Sequence, residues 1–350
     1  MLLKPKFGKW LSVETLDSID KYILITMEEP WDIIEEKISN KPRYLEFNYN
    51  MSLDNLDKLY GSFEPFITDN YAIVGIGGGT ACDTAKFLAW KFKEEFNFNL
   101  DLYLIPSIIS VDAFLCSSIA VRIDNKVNYV GETNPKEIII DDDLISKAPK
   151  FLNRAGVSDT ISITSALGDW LIARDETNDK FNQKVFNRAK DIANDLMNAR
   201  NEIRDVTEKG IKALVDGFYN EVVLCEEWGN ARPEEGSEHF LAYCLESITQ
   251  QHYIHGNLIG MNILISLYLQ EEYAQFSIDE ISQYFRDIQL EFTPENQKID
   301  DNELRIALNQ IKKYVIDEDL FYTIYNSSKL KLDSKKIDDI IRYIRSFKYI

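Results

Sequence analysis

Residues 71–92 read YAIVGIGGGTACDTAKFLAWKF, and three parts of this stretch decide the fold. The segment 71–76 is a short continuous apolar run that suits a buried strand, Gly77, Gly78 and Gly79 form a turn, and a helix is predicted from about Thr80. Glycines between a buried strand and a helix start let backbone N–H groups approach a pyrophosphate, whose charge the helix N-terminus also favours. A tight turn without a ligand is the alternative, although one glycine would suffice for it. Asp83 and Lys86 fall on the first helical turns, and Asp83 is either a cofactor contact or a complement to the helix dipole.

Working upstream, 22–26 (YILIT) reads as a strand, Glu28 to Asn40 as a helix, and 43–47 (RYLEF) as a strand followed by a helix from Ser52. Strands and helices alternating in this way imply parallel strands with right-handed crossovers. Downstream, LDLYLIPS (100–107) is another buried strand, and Ser110 to Ala113 lie just past it, where ligands gather at the carboxyl ends of parallel strands. Ser118 to Ile123 and Lys126 to Val130, joined by Asp124-Asn125, read as a hairpin, and KEIIIDDD (136–143) closes the region. Beyond 144 the pattern is helical, with candidates at 155–175, 182–200, 202–229, 237–249 and 256–271, a Ser277-x-x-Glu280 capping box, and two later helices. The expected architecture is an α/β nucleotide-binding domain with a Rossmann-like parallel sheet over 1–147, then an all-α domain for metal and substrate over 148–350.

The three histidines of the 350-residue chain, His239, His252 and His255, fall in one short window. His239 begins one apolar helical run and His255-Gly256 opens another, so two buried helices would each present an imidazole near one end. Such a pair needs one further ligand, usually a carboxylate, to make a catalytic zinc site with an open position. His252 is expected on a helix surface.

Lys and Arg number 39 against 58 Asp and Glu, a formal charge of −19, which makes nucleic acid and anionic membranes poor partners. Cys82, Cys116, Cys225 and Cys244 form no C-x-x-C pair and read as reduced thiols. With no signal-like N-terminus and no apolar run of about 18 residues, a cytoplasmic protein is expected.

Several segments, taken in order, resemble one superfamily. GIGGGTACDTAK (75–86) resembles the GxGGGxxxDxAK signature of metal-dependent alcohol dehydrogenases, glycerol dehydrogenases, glycerol-1-phosphate dehydrogenases and dehydroquinate synthases. PSIISVDAFLCSSIAV (106–121) and NPKEIIIDDDLISKAPKFLNRAGVSD (134–159) are similar to further blocks of the glycerol and glycerol-1-phosphate enzymes, while ITSALGDWLIA (163–173) and RPEEGSEH (232–239) lean towards the latter. The resemblance supplies the missing carboxylate, since it implies metal ligands Asp159, His239 and His255. It also implies NAD or NADP at Gly77, Gly78, Gly79, Asp83, Ser107 and Ser110. Asp112 is then expected to accept a hydrogen bond from a substrate hydroxyl.

Ile163 replaces the fourth, histidine ligand of iron-using relatives, which favours Zn2+. Tyr243 stands where glycerol-1-phosphate enzymes carry a second histidine, Glu234 and Glu235 would not welcome a phosphate, and Met27 leaves NAD versus NADP open. Arg232 is a candidate anion contact or a structural ion-pair residue. The implied function is a zinc-dependent, NAD(P)-dependent dehydrogenase interconverting glycerol or glycerol 1-phosphate with the matching ketone, as a homo-oligomer. A sugar-phosphate cyclase like dehydroquinate synthase, or an inactive relative, are the alternatives.

Overall fold

The structure, a computed structural model, describes residues 2–123 and 126–347. The chain divides into two compact units, Met1–Pro149 and Lys150–Ile350. The first contains strands β1 (Lys6–Gly8), β2 (Tyr22–Thr26), β3 (Tyr44–Phe47), β4 (Ala72–Gly77), β5 (Asp101–Pro106), β6 (Ser118–Ile123), β7 (Lys126–Glu132) and β8 (Glu137–Asp141). Six of them form one parallel sheet in the order β1-β8-β5-β4-β2-β3. Every residue of β2 and β4 is buried, which is why they read as unbroken apolar runs rather than alternating ones. The helix Gly79–Phe96 carries the chain from β4 across to β5.

The short strand β1 carries no apolar pattern and is not foreseen. It exists because Lys6 to Gly8 pair with Ile139 to Asp141 of β8. The buried Asp141 carboxylate then accepts the N–H groups of Trp10 and Ser12 at 3.0 and 2.9 Å, fixing the chain that follows. Strands β6 and β7 pair antiparallel as a separate hairpin. The Asp124-Asn125 turn expected between them lies outside the described residues.

In the second unit every regular element among the described residues is helical. Two long expected helices are broken. The 155–175 segment divides at Ser162 into Val157–Ile161 and Ile163–Thr177, and 202–229 divides where Val206 adopts a left-handed conformation, giving Arg200–Asp205 and Glu208–Trp228. Helical periodicity continues through both breaks, so the pattern alone does not show them. Ser277 caps Ile278–Asp287 by accepting the Glu280 N–H, while the reciprocal capping box belongs to Asp300 and Glu303.

The helix His255–Gln270 is buried around its whole circumference apart from His255 and Tyr268, as expected for the central element of a helical unit. Among the described residues, no helix is long and apolar enough to cross a membrane.

Candidate metal centre and nucleotide turn

Three helices of the second unit bring Asp159, His239 and His255 together. Asp159 lies in Val157–Ile161, His239 in the first turn of Ser237–Thr249, and His255 opens His255–Gln270. One ligating atom from each falls within 4.8 Å of the other two. Asp159 Oδ1 stands 3.0 Å from His255 Nε2 and 3.7 Å from His239 Nε2. This buried oxygen makes no hydrogen bond of regular geometry. A buried carboxylate oxygen facing two imidazole nitrogens fits a divalent cation, which would occupy the space they enclose. Asp159 and His239 are buried whereas His255 is partly exposed, so the site has a solvent side.

Burial would raise the Asp159 carboxyl, but the charge of His255 beside it, together with His239, holds it at about 2. Burial would likewise lower His239, yet Asp159 and Glu238 outweigh it and raise this imidazole well above its ordinary 6.5. The site therefore attracts positive charge, whether proton or metal.

Two residues that build the site were missed by sequence reasoning. Glu238 is completely buried, and its Oε1 lies 2.9 Å from His239 Nδ1. Its signal was an acid inside an otherwise apolar helical run. Gly256 is the second: a Cβ there would lie 1.8 Å from the Ala155 carbonyl oxygen, so only glycine lets this helix start against the segment leading to Asp159. The His-Gly pair was visible, but the close approach was not.

Expectations for other residues change. Arg232 is buried, donates to the carbonyls of Asp169 and Tyr322 at 3.3 and 2.7 Å, and lies 3.4 Å from Asp179. It is a structural cation rather than an anion contact, because its guanidinium is held inside the helical unit. His252 lies in the exposed loop between two helices instead of on a helix surface. Tyr243, one turn beyond His239, donates its hydroxyl to Glu235 at 2.9 Å.

In the first unit, Gly77 ends β4, and Gly78 caps the helix Gly79–Phe96 without any side-chain bond to its first turn. Gly78, Gly79 and Thr80 are partly exposed, so the open N–H groups of this long helix face accessible space. A Cβ at Gly77 would lie 2.7 Å from that of Ala81, which explains the tight turn from strand to helix.

Ser107 is buried, and its N–H donates to Gly77 O at 2.9 Å, tying the end of β5 to the turn; Ser110 and Asp112 follow, partly exposed. Cys116 Sγ lies 2.6 Å from Asp112 Oδ2. Asp83, expected at the cofactor, is buried with Lys86 Nζ at 2.7 Å and accepts the Ala120 N–H at 3.4 Å. Lys86 in turn donates to the carbonyls of Cys116 and Ser118, so this pair holds the helix against the segment after β5.

Residues 16–149 match the family described as iron-containing alcohol dehydrogenase. This span is similar to an iron-containing alcohol dehydrogenase domain. The glycine turn, Asp83, Ser107, Ser110 and Asp112 lie within the matched span, whereas Asp159, His239 and His255 lie beyond it.

Longer similarities extend the comparison. The glycerol-1-phosphate dehydrogenase [NAD(P)+] of Thermoplasma acidophilum is 26% identical over 286 residues, 81% of this chain and 77% of the relative. That of Methanococcus aeolicus is 30% identical over 59% of this chain and 60% of its own length. The fold is shared with a probable glycerol dehydrogenase from Sinorhizobium meliloti, at TM-score 0.70 and 17% identity, covering 96% of this chain and 93% of the other. It is also shared with sulfoacetaldehyde reductase from Bifidobacterium kashiwanohense in complex with NAD+, at TM-score 0.69 and 13% identity, covering 99% and 100%. In this chain the matched span is followed by the helical unit Lys150–Ile350.

Proposed function

We propose that this protein is a zinc- and NAD(P)-dependent dehydrogenase that interconverts a three-carbon polyol, glycerol or glycerol 1-phosphate, with its ketone. The observation that carries the reading is the convergence of Asp159, His239 and His255 within 4.8 Å in the helical unit. The relatives named glycerol-1-phosphate dehydrogenase [NAD(P)+] support the substrate class and the dinucleotide.

A divalent cation bound here would supply Lewis-acid polarisation of a substrate oxygen, and a bound nicotinamide dinucleotide would supply the hydride chemistry. Asp159, His239 and His255 would hold the cation. The backbone at Gly77, Gly78 and Gly79, with the start of the helix Gly79–Phe96, would hold the pyrophosphate, and Ser107 and Ser110 would border it. Asp112, partly exposed after β5, would accept a hydrogen bond from a substrate hydroxyl and orient it. Ile163 is buried and apolar, so it cannot add the fourth ligand of an iron site, which favours zinc.

The charge near the site bears on the choice between free and phosphorylated substrate. Glu235, paired with Tyr243, acts electrostatically on His239, and a carboxylate there favours an uncharged polyol over a dianion. The buried, reduced thiols of Cys82 and Cys244 suit a reducing compartment, the cytoplasm. The test is kcat/KM for dihydroxyacetone and dihydroxyacetone phosphate with NADH and NADPH, before and after chelation. Zinc-dependent reduction of either ketone supports the reading, and reduction of neither by zinc-loaded protein overturns it.

A further inference from the structure

We propose that Glu238 is a positioning residue that fixes which nitrogen of His239 faces the metal site. This inference rests on the metal reading above and adds a role for a residue that touches neither metal nor substrate. His239 directs Nε2 towards Asp159 and Nδ1 towards Glu238 Oε1, at 3.7 and 2.9 Å. A ring that donates Nδ1–H to a fixed carboxylate keeps its Nε2 lone pair for a cation, and such a carboxylate raises the basicity of the ligand.

The Glu238 side chain is itself held on both oxygens. Oε1 also accepts the Gly236 N–H at 2.7 Å, and Oε2 accepts the Ser165 hydroxyl at 2.7 Å. Its backbone carbonyl accepts from Asn262 Nδ2 at 3.0 Å, so the helices carrying His239 and His255 are joined at this residue. Asp169 stabilises the same turn by accepting the Ser237 N–H at 2.7 Å and the Ile324 N–H at 2.8 Å. With Ser165 and Asp169 both on Ile163–Thr177, one helix anchors the turn from which His239 projects.

Charge explains why an acid rather than an amide stands here. Glu238 and Asp169 are wholly buried, and the Arg232 guanidinium is the cation that both of them act on. The guanidinium is also faced by Asp179, so acids outnumber the cation around this turn, an imbalance that a divalent cation would offset. On this reading Glu238 both aims the imidazole and strengthens the preference of the site for a dication.

The experiment titrates the metal-free full chain with Zn2+ in wild type, Glu238→Ala and Glu238→Gln, and records imidazole N–H resonances of the zinc-loaded forms. With three histidines in the chain, the His239 signals can be assigned directly. Wild type is expected to bind one zinc per chain and to show a downfield Nδ1–H proton. Glu238→Ala should weaken zinc about ten- to a hundredfold, the usual effect of losing such a partner.

Glu238→Gln keeps the volume and an acceptor for Nδ1–H, so it should weaken zinc less than Ala while moving the Nδ1–H proton upfield. A purely structural role would not produce that movement. Folded Glu238→Ala with wild-type zinc affinity, or an unmoved Nδ1–H resonance in Glu238→Gln, overturns the positioning role while leaving the metal reading intact. Wild type that binds no zinc overturns the metal reading and the positioning role together.

Discussion

Gly256 begins its helix so close to Ala155 that a Cβ on it would lie 1.8 Å from the Ala155 carbonyl oxygen. That contact seats His255 beside Asp159, with 3.0 Å between His255 Nε2 and Asp159 Oδ1. Gly256→Ala must push the helix start away from the backbone it touches. The expected outcome is a loss of about 2 kcal/mol of stability from overpacking, read by denaturant unfolding, together with at least a tenfold loss of zinc affinity. Unchanged zinc binding would separate the glycine contact from the site.

Asp159→Asn and His239→Ala should each abolish stoichiometric zinc and activity while the chain stays folded, since two remaining ligands make a weak site. His252→Ala should change neither, because His252 is exposed in a loop. Metal analysis after gel filtration checks all three, and full zinc occupancy in the first two would remove them from the ligand set.

Zinc binding should depend on pH with a definite sign. In the metal-free fold, His239 is raised well above 6.5, chiefly because Asp159 and Glu238 outweigh its burial. At neutral pH the imidazole therefore holds a proton that the metal must displace. Zinc affinity should rise with pH, by about tenfold per unit for one displaced proton, and level off above the folded-state value. Competition titrations from pH 6 upwards measure the slope, and a flat profile would exclude His239 as a ligand.

Gly78 is partly exposed at the open start of the helix Gly79–Phe96. Even a Cβ there would approach the Ile108 side chain to 3.1 Å, so Gly78→Val both crowds the turn and covers its N–H groups. Nucleotide affinity should fall at least tenfold, about 1.4 kcal/mol. Fluorescence titration with NADH and NADPH checks this, and wild-type affinity would place the dinucleotide elsewhere.

Arg232→Ala should act on stability rather than on substrate choice. Its buried guanidinium holds the Asp169 and Tyr322 carbonyls and lies beside Asp179, and removing one partner of a buried charged network costs about 3 kcal/mol or more. Denaturant unfolding should show that loss. The ratio of kcat/KM for the phosphorylated and free ketones should stay as in wild type, and a selective loss on the phosphorylated ketone would return Arg232 to the substrate.

The parallel sheet and the glycine turn were legible in the sequence because their causes are local. Continuous apolar runs make β2 and β4 strands that must be buried on both faces, and a glycine run at a helix start leaves its N–H groups open. The helical half was equally visible as periodicity, though not its breaks at Ser162 and Val206. The three site residues were marked by the clustered histidines and by a family resemblance, but their spacing in the chain carries no distance.

Tertiary structure decided the rest, because those features depend on groups distant in sequence. Strand β1 has no apolar pattern and exists only through its pairing with β8. Arg232 looked available until the fold enclosed it between Asp169 and Tyr322. Glu238 gains its significance from His239 on one side and Ser165 on the other, a pairing that forms only when their helices pack and exclude the water that would otherwise solvate the carboxylate.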